Sequence, residues 1–138
     1  DAVQLRLIEE PFNPVWTKVN LIQRGLKAMD NPLNMPFSNT ETLPGSTIIQ
    51  SHGVVTGSTV RAKNVFRDIG AGLKNIVGGE LKAYTELLQE SRNEALFRMC
   101  SEAASRGANA VVNVRFATSS VAGGASELLA YGTAVTVQ

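Results

Sequence analysis

At 138 residues the chain is long enough to bury one proper core and too short for two. Hydrophobic residues make up 43% and charged residues 18%, a globular balance, and the net charge of +1 offers no general attraction for nucleic acid or anionic lipid. No apolar run approaches the roughly 20 residues of a membrane-spanning helix, and Cys100, as the sole cysteine, allows neither an intrachain disulfide nor a Cys-x-x-Cys motif. The expectation is a soluble protein with no nucleic-acid partner and no transmembrane segment, and the lone cysteine suits a reducing compartment, which favours the cytoplasm.

Val3, Leu5 and Leu7 alternate with Gln4 and Arg6, the two-residue period of a half-buried strand. Pro11-Phe-Asn-Pro14 breaks it, with Asn13 as an N-cap and Pro14 as a favoured first helical residue. Val15, Val19, Ile22, Leu26 and Met29 then draw one apolar stripe on a helix of about four turns. Lys18, Arg24 and Lys27 face away from that stripe, too few cations for a membrane surface, so the helix is expected to pack on protein. The prolines at 32 and 36 end the unit.

The remaining hundred or so residues read as a compact mixed unit. Thr47 to Thr56 has strand character with a break at Gly53, and Gly57-Ser58 reads as a turn. Phe66, Ile69, Leu73, Ile76 and Val77 keep helical spacing around Gly70 and Gly72, and Gly78-Gly79 closes that segment. From Glu80 to Arg106 strong helix formers dominate, with Tyr84, Leu88, Ala95, Met99 and Ala103 along one face, Glu94 four residues before Arg98, and Gly107 as the C-terminal cap. The runs Ala110 to Ser119 and Ser126 to Val137, joined by Ala122-Gly-Gly-Ala125, form an antiparallel hairpin.

In the last strand Leu128, Ala130, Gly132 and Ala134 share a small-residue face that admits the close approach of a helix. Leu129, Tyr131, Thr133, Val135 and Val137 share the other, larger face, which a single α-plus-β layer leaves without an evident cover. A neighbouring subunit is the economical cover.

Val54-Val-Thr-Gly57, Asn64-Val-Phe-Arg-Asp68, Gly78-Gly79, Tyr84, Gly107-Ala-Asn-Ala-Val111 and Gly132-Thr-Ala-Val135 form an ordered string of motifs. On these the chain, from about residue 35 to 138, closely resembles the YbjQ family, small proteins grouped as heavy-metal binders without an established reaction. The resemblance implies an α+β fold with a dodecin-like β-α-β-β core, an antiparallel sheet packed on one long helix. It also implies assembly as a homo-oligomeric ring, pentameric or as stacked pentamers. On this reading residues 1–36 are an N-terminal strand-helix extension with linker, and residues 37–138 the YbjQ-like domain. Two departures stand out: Asn113 replaces the glycine usual after Ala-Val-Val, and Val114-Arg-Phe-Ala117 lacks the acidic and tyrosine residues often found there.

Candidate chemistry is sparse. His52 and Cys100 are the candidate ligands for a divalent or heavy metal, a ring being able to bring several copies together, although a strand histidine and a mid-helix cysteine beside Met99 also read as structural residues. Glu86, Glu90 and Glu94 form a carboxylate stripe that reads as a solvated helix face or, in a ring, as a lining for hard cations. Neither glycine cluster matches a dinucleotide or P-loop motif, and one His and one Cys without motif context argue against a catalytic triad. The function expected is therefore a non-enzymatic ring, a scaffold or a metal or small-ligand binding module. The alternative is an enzyme with an inter-subunit site near Arg67, Asp68 and Tyr84.

Overall fold

The computed structural model describes residues 31–65 and 82–138. The strand and helix expected within residues 1–30 and the glycine-broken helix at 66–77 lie outside them. Pro32–Gln138 forms one compact unit. Its elements are β1 (Ile48–Arg61), α1 (Lys82–Ser105), β2 (Ala110–Val121) and β3 (Ala125–Val137), with single 3₁₀ turns at Pro32–Asn34 and Ala122–Gly124. The strands make one sheet in the order β1-β3-β2 with both pairings antiparallel. Among the described residues the fold is α+β, a three-stranded antiparallel sheet and one long helix, as expected.

Small residues set the distance between helix and sheet. Ala130 and Ala134 on β3 are fully buried in the core cluster together with Val55, Ala95, Met99, Cys100, Ala103, Val111 and Val114. Gly57 gives the sharpest case. A Cβ at that position would fall 2.2 Å from the carbonyl oxygen of Ala95 and 2.4 Å from the backbone nitrogen of Met99. Gly57 is thus not the turn its sequence suggests; it lies inside a continuous strand and lets the helix backbone rest on β1. The break expected at Gly53 is a bulge: the register with β3 shifts between Ser51 and Gly53, and Gly53 takes φ +85°.

The helix buries Ser91, Ala95, Met99, Cys100 and Ala103. Leu88, expected on this face, is 41% exposed. Ser91 takes its place because the end of β1 meets the helix through polar groups. The Thr59 hydroxyl donates to the Ser91 carbonyl at 3.2 Å, and Arg61 Nε donates to the Ser91 hydroxyl at 3.1 Å. A face built from Ser, Ala, Met and Cys carries little apolar contrast, so helical periodicity reads it poorly.

The helix ends as expected at Gly107, at φ +83°. Gly107 N–H donates to the Ala104 carbonyl at 3.0 Å and Ala108 N–H to the Ala103 carbonyl at 3.1 Å, the paired bonds of a Schellman cap. The hairpin between β2 and β3 turns through Gly123 and Gly124, both at positive φ. Asn113 also takes a positive φ, +55°, at the register shift between Val112 and Arg115. Asparagine tolerates the left-handed region better than other residues with a side chain, which accounts for its standing at a bulge.

The larger face of β3 is partly covered from within the chain. Val135, Ala110 and Val112 form a second buried cluster with Leu43, Ile48 and Val137 packed against it. The expectation of a fully uncovered face is corrected at this end, because the loop before β1 folds Leu43 under the sheet. Further along, Tyr131 is 38% exposed, and beside it on β1 Val54 and Val60 are 64% and 55% exposed.

Candidate functional site

The two candidate metal ligands sit in different environments. Cys100 is fully buried in the core between helix and sheet, and burial pushes its thiol up to about 11. Metals bind the thiolate, so a thiol held neutral at physiological pH is a poor ligand. His52 lies on β1 outside that core cluster, half-buried, with Nε2 at 2.7 Å from the Thr136 hydroxyl. Among the described residues no three His, Cys, Asp or Glu side chains converge as a metal site. Within one subunit, the described residues do not fit a closed four-ligand metal centre. Tyr84 stands half-buried in the first turn of α1, whereas Arg67 and Asp68 lie outside the described residues.

What the structure does assemble is a ladder of charge along α1 beside the outer edge of β1. Arg106 Nη1 donates to the carbonyls of Val54 at 2.8 Å and His52 at 3.2 Å. Glu102 accepts from the Thr56 N–H at 2.7 Å and pairs with Arg106 four residues on. Arg98 Nη1 donates to the Ser58 carbonyl at 2.5 Å and pairs with Glu94. Arg61 on β1 closes the ladder, at 3.2 Å from Glu94 and 3.6 Å from Glu90. The Thr56 N–H, and after it Arg106, hold the Glu102 carboxyl below its ordinary value.

The ladder adds partners to the helix carboxylates: Glu90 and Glu94 pair with Arg61, and Glu94 also with Arg98, on a partly solvated face, while Glu86 is exposed. The spacing of Glu94 to Arg98 was legible in sequence, and Glu102 to Arg106, which repeats it, was not singled out. Their reach to the backbone of a strand some forty residues away was not, because it depends on how closely the small-residue face lets the helix approach.

On the opposite edge, Phe37, Leu96, Val114, Arg115 and Phe116 line an open groove of about 560 Å³, with Ser38 and Asn39 at its rim. Arg115 Nη1 donates to the Asn39 carbonyl at 2.7 Å, fixing the loop against the strand. No helix among the described residues is long and apolar enough to cross a membrane.

A long helix laid by small residues on one face of a three-stranded antiparallel sheet, with a left-handed bulge in β2, defines a small α+β module. Residues 35–138 match the profile of the YbjQ family, described as "Putative heavy-metal-binding", and the chain belongs to that family. It is 62% identical over 104 residues to a UPF0145 protein of Hahella chejuensis, a match covering 75% of this chain and all of that one. A UPF0145 protein of Acinetobacter baylyi is 65% identical over 96 residues, covering 70% of this chain and 89% of the relative. Among solved structures, a protein of unknown function of the DUF74 family from Pediococcus pentosaceus is similar with a TM-score of 0.49 and 18% identity, covering 76% of this chain and 99% of the other.

Proposed function

We propose that this protein is a non-enzymatic homo-oligomer, a ring of five subunits or two such rings stacked, that serves as a scaffold or holds a metal or small ligand at sites shared between subunits. One observation carries the reading: the sheet face opposite α1 leaves Val54, Val60 and Tyr131 open to solvent on adjacent strands, an apolar surface that burial against another subunit would stabilise. The absence of enzymatic chemistry is supported by the buried, neutral Cys100 and by the engagement of the His52 ring with Thr136. The metal component rests on the family description, and sharing between subunits follows from the poor fit of the described residues of one chain.

Native mass spectrometry of the full chain, with and without added zinc, tests this. The expected result is one symmetric species that binds zinc weakly, with His52→Ala weakening it more than any single carboxylate change. A monomer at micromolar concentration overturns the assembly. Stoichiometric, sub-micromolar zinc retained by an isolated monomer overturns the shared site.

A further inference from the structure

The two edges of the sheet are finished differently. On β1 the carbonyls of His52 and Val54 are taken by Arg106, the Thr56 N–H by Glu102 and the Ser58 carbonyl by Arg98, side chains that guard this edge against another strand. On β2 the first half of the edge is taken by the loop before β1. Val111 N–H donates to the Pro36 carbonyl at 3.1 Å, Ser38 N–H to the Val111 carbonyl at 3.0 Å, and Val114 N–H to the Ser38 carbonyl at 2.9 Å. The second half, residues 115–121, is exposed throughout and carries no such guard among the described residues.

The register identifies the open groups. The Val114 N–H points outward to Ser38, and pairing with β3 then runs without a shift from Arg115 opposite Tyr131 to Val121 opposite Ala125. Alternation therefore turns the N–H and C=O of Phe116, Thr118 and Ser120 away from β3. We infer that this stretch of β2 pairs antiparallel, about a two-fold axis at Thr118, with the same stretch of a second copy of this chain. Such pairing sets Phe116 against Ser120 of the other copy and Thr118 against its own counterpart, closing about six backbone hydrogen bonds. The arrangement is self-complementary, as a two-fold contact requires. The stretch holds one charge, Arg115. Centring on Thr118 sends the two copies of it to opposite ends, on the order of 20 Å apart, so no like charges face each other.

This inference rests on the self-association reading and adds a second kind of contact, since a five-fold ring has head-to-tail interfaces and a two-fold joins two of them. Two variants test it by native mass spectrometry and cross-linking. Thr118→Lys places like charges face to face at the axis on a solvent-exposed position. Thr118→Cys puts its thiols at about 5.5 Å Cα separation, within disulfide reach, while Cys100 stays buried. The expected result is an even number of copies in the wild type, halved by Thr118→Lys, with a disulfide-linked dimer formed on oxidation of Thr118→Cys. A wild-type dimer that Thr118→Lys turns into a monomer supports the edge contact and overturns the ring. A ring with an odd number of copies, unchanged by Thr118→Lys and not cross-linked by Thr118→Cys, overturns the edge contact and leaves the ring standing. A wild-type monomer overturns both.

Discussion

The Glu102 carboxylate on α1 accepts a hydrogen bond from the backbone N–H of Thr56 on β1 at 2.7 Å. Through it a helix side chain caps a strand edge, and the same contact tethers helix to sheet beside the apolar packing of Val55 against Met99 and Ala103. Removing it in Glu102→Ala leaves the Thr56 N–H to water and Arg106 with only its carbonyl partners Val54 and His52, a loss of about 1 kcal/mol for a charge-assisted bond at the surface. Denaturant unfolding should show the midpoint falling with the slope unchanged.

The same bond makes the contribution of Glu102 depend on pH. Its carboxyl is held below the ordinary 4.5, first by Thr56 and then by Arg106. A carboxyl with a lowered folded value stabilises above its unfolded value and loses that contribution as the pH falls through the folded one. The stability difference between wild type and Glu102→Gln should therefore be constant at neutral pH and vanish in acid below 4.5. Thermal melts of both proteins across that range check this, and a difference that grows on acidification would contradict it.

Cys100 should behave as an inert core residue. Its thiol, fully buried and pushed up to about 11, should resist a thiol reagent at pH 8 in the native protein and react at once after unfolding. Cys100→Ala removes one buried sulfur at a cost of about 1 kcal/mol. It should leave any metal binding of the assembly unchanged, which separates this cysteine from His52 as a ligand.

Residues 32–138 should fold without the preceding segment. Among the described residues, both buried clusters, every strand pairing and the helix cap lie within Pro32–Gln138. We expect a chain of these residues to unfold in one cooperative transition. Circular dichroism and a denaturant curve check this, and a broad, non-cooperative melt would show that the first thirty-one residues belong to the folding unit.

How far the sequence was legible depended on what kind of force acts at each position. The long helix, its glycine cap and the hairpin follow from local signals, and each of Gly107, Gly123 and Gly124 takes the positive φ that its turn demands. The two faces of β3 were readable from the alternation of small and large residues around Gly132. Gly57 was misread as a turn and Ser91 was not singled out, because their roles are non-local. One admits a helix backbone and the other receives Thr59 and Arg61, and nothing within a few residues of either announces it. The charge ladder was half legible for the same reason, as helix spacing reveals Glu-Arg pairs but not the strand edge they close.

Gly57 offers the most severe test of the packing. A methyl group there meets two backbone atoms of α1, at 2.2 Å and 2.4 Å, and the Cβ of Arg98 at 2.9 Å. Backbone atoms of a helix cannot turn aside as a side chain end can, so Gly57→Ala must lift α1 from β1 along the contact that buries Ala95 and Met99. Overpacking of this kind costs about 1–3 kcal/mol, with the upper end expected where backbone is struck. Gly107 provides the comparison: a Cβ there meets nothing within 4 Å, and its substitution costs only the left-handed strain of φ +83°, about 1–2 kcal/mol. Gly57→Ala should therefore lower the melting temperature more than Gly107→Ala. It should also expose the helix to faster amide exchange around Ala95 and Met99, whereas Gly107→Ala should affect only the last turn. Equal losses in the two variants, or exchange unchanged at Ala95, would show that helix and strand do not meet backbone to backbone at this glycine.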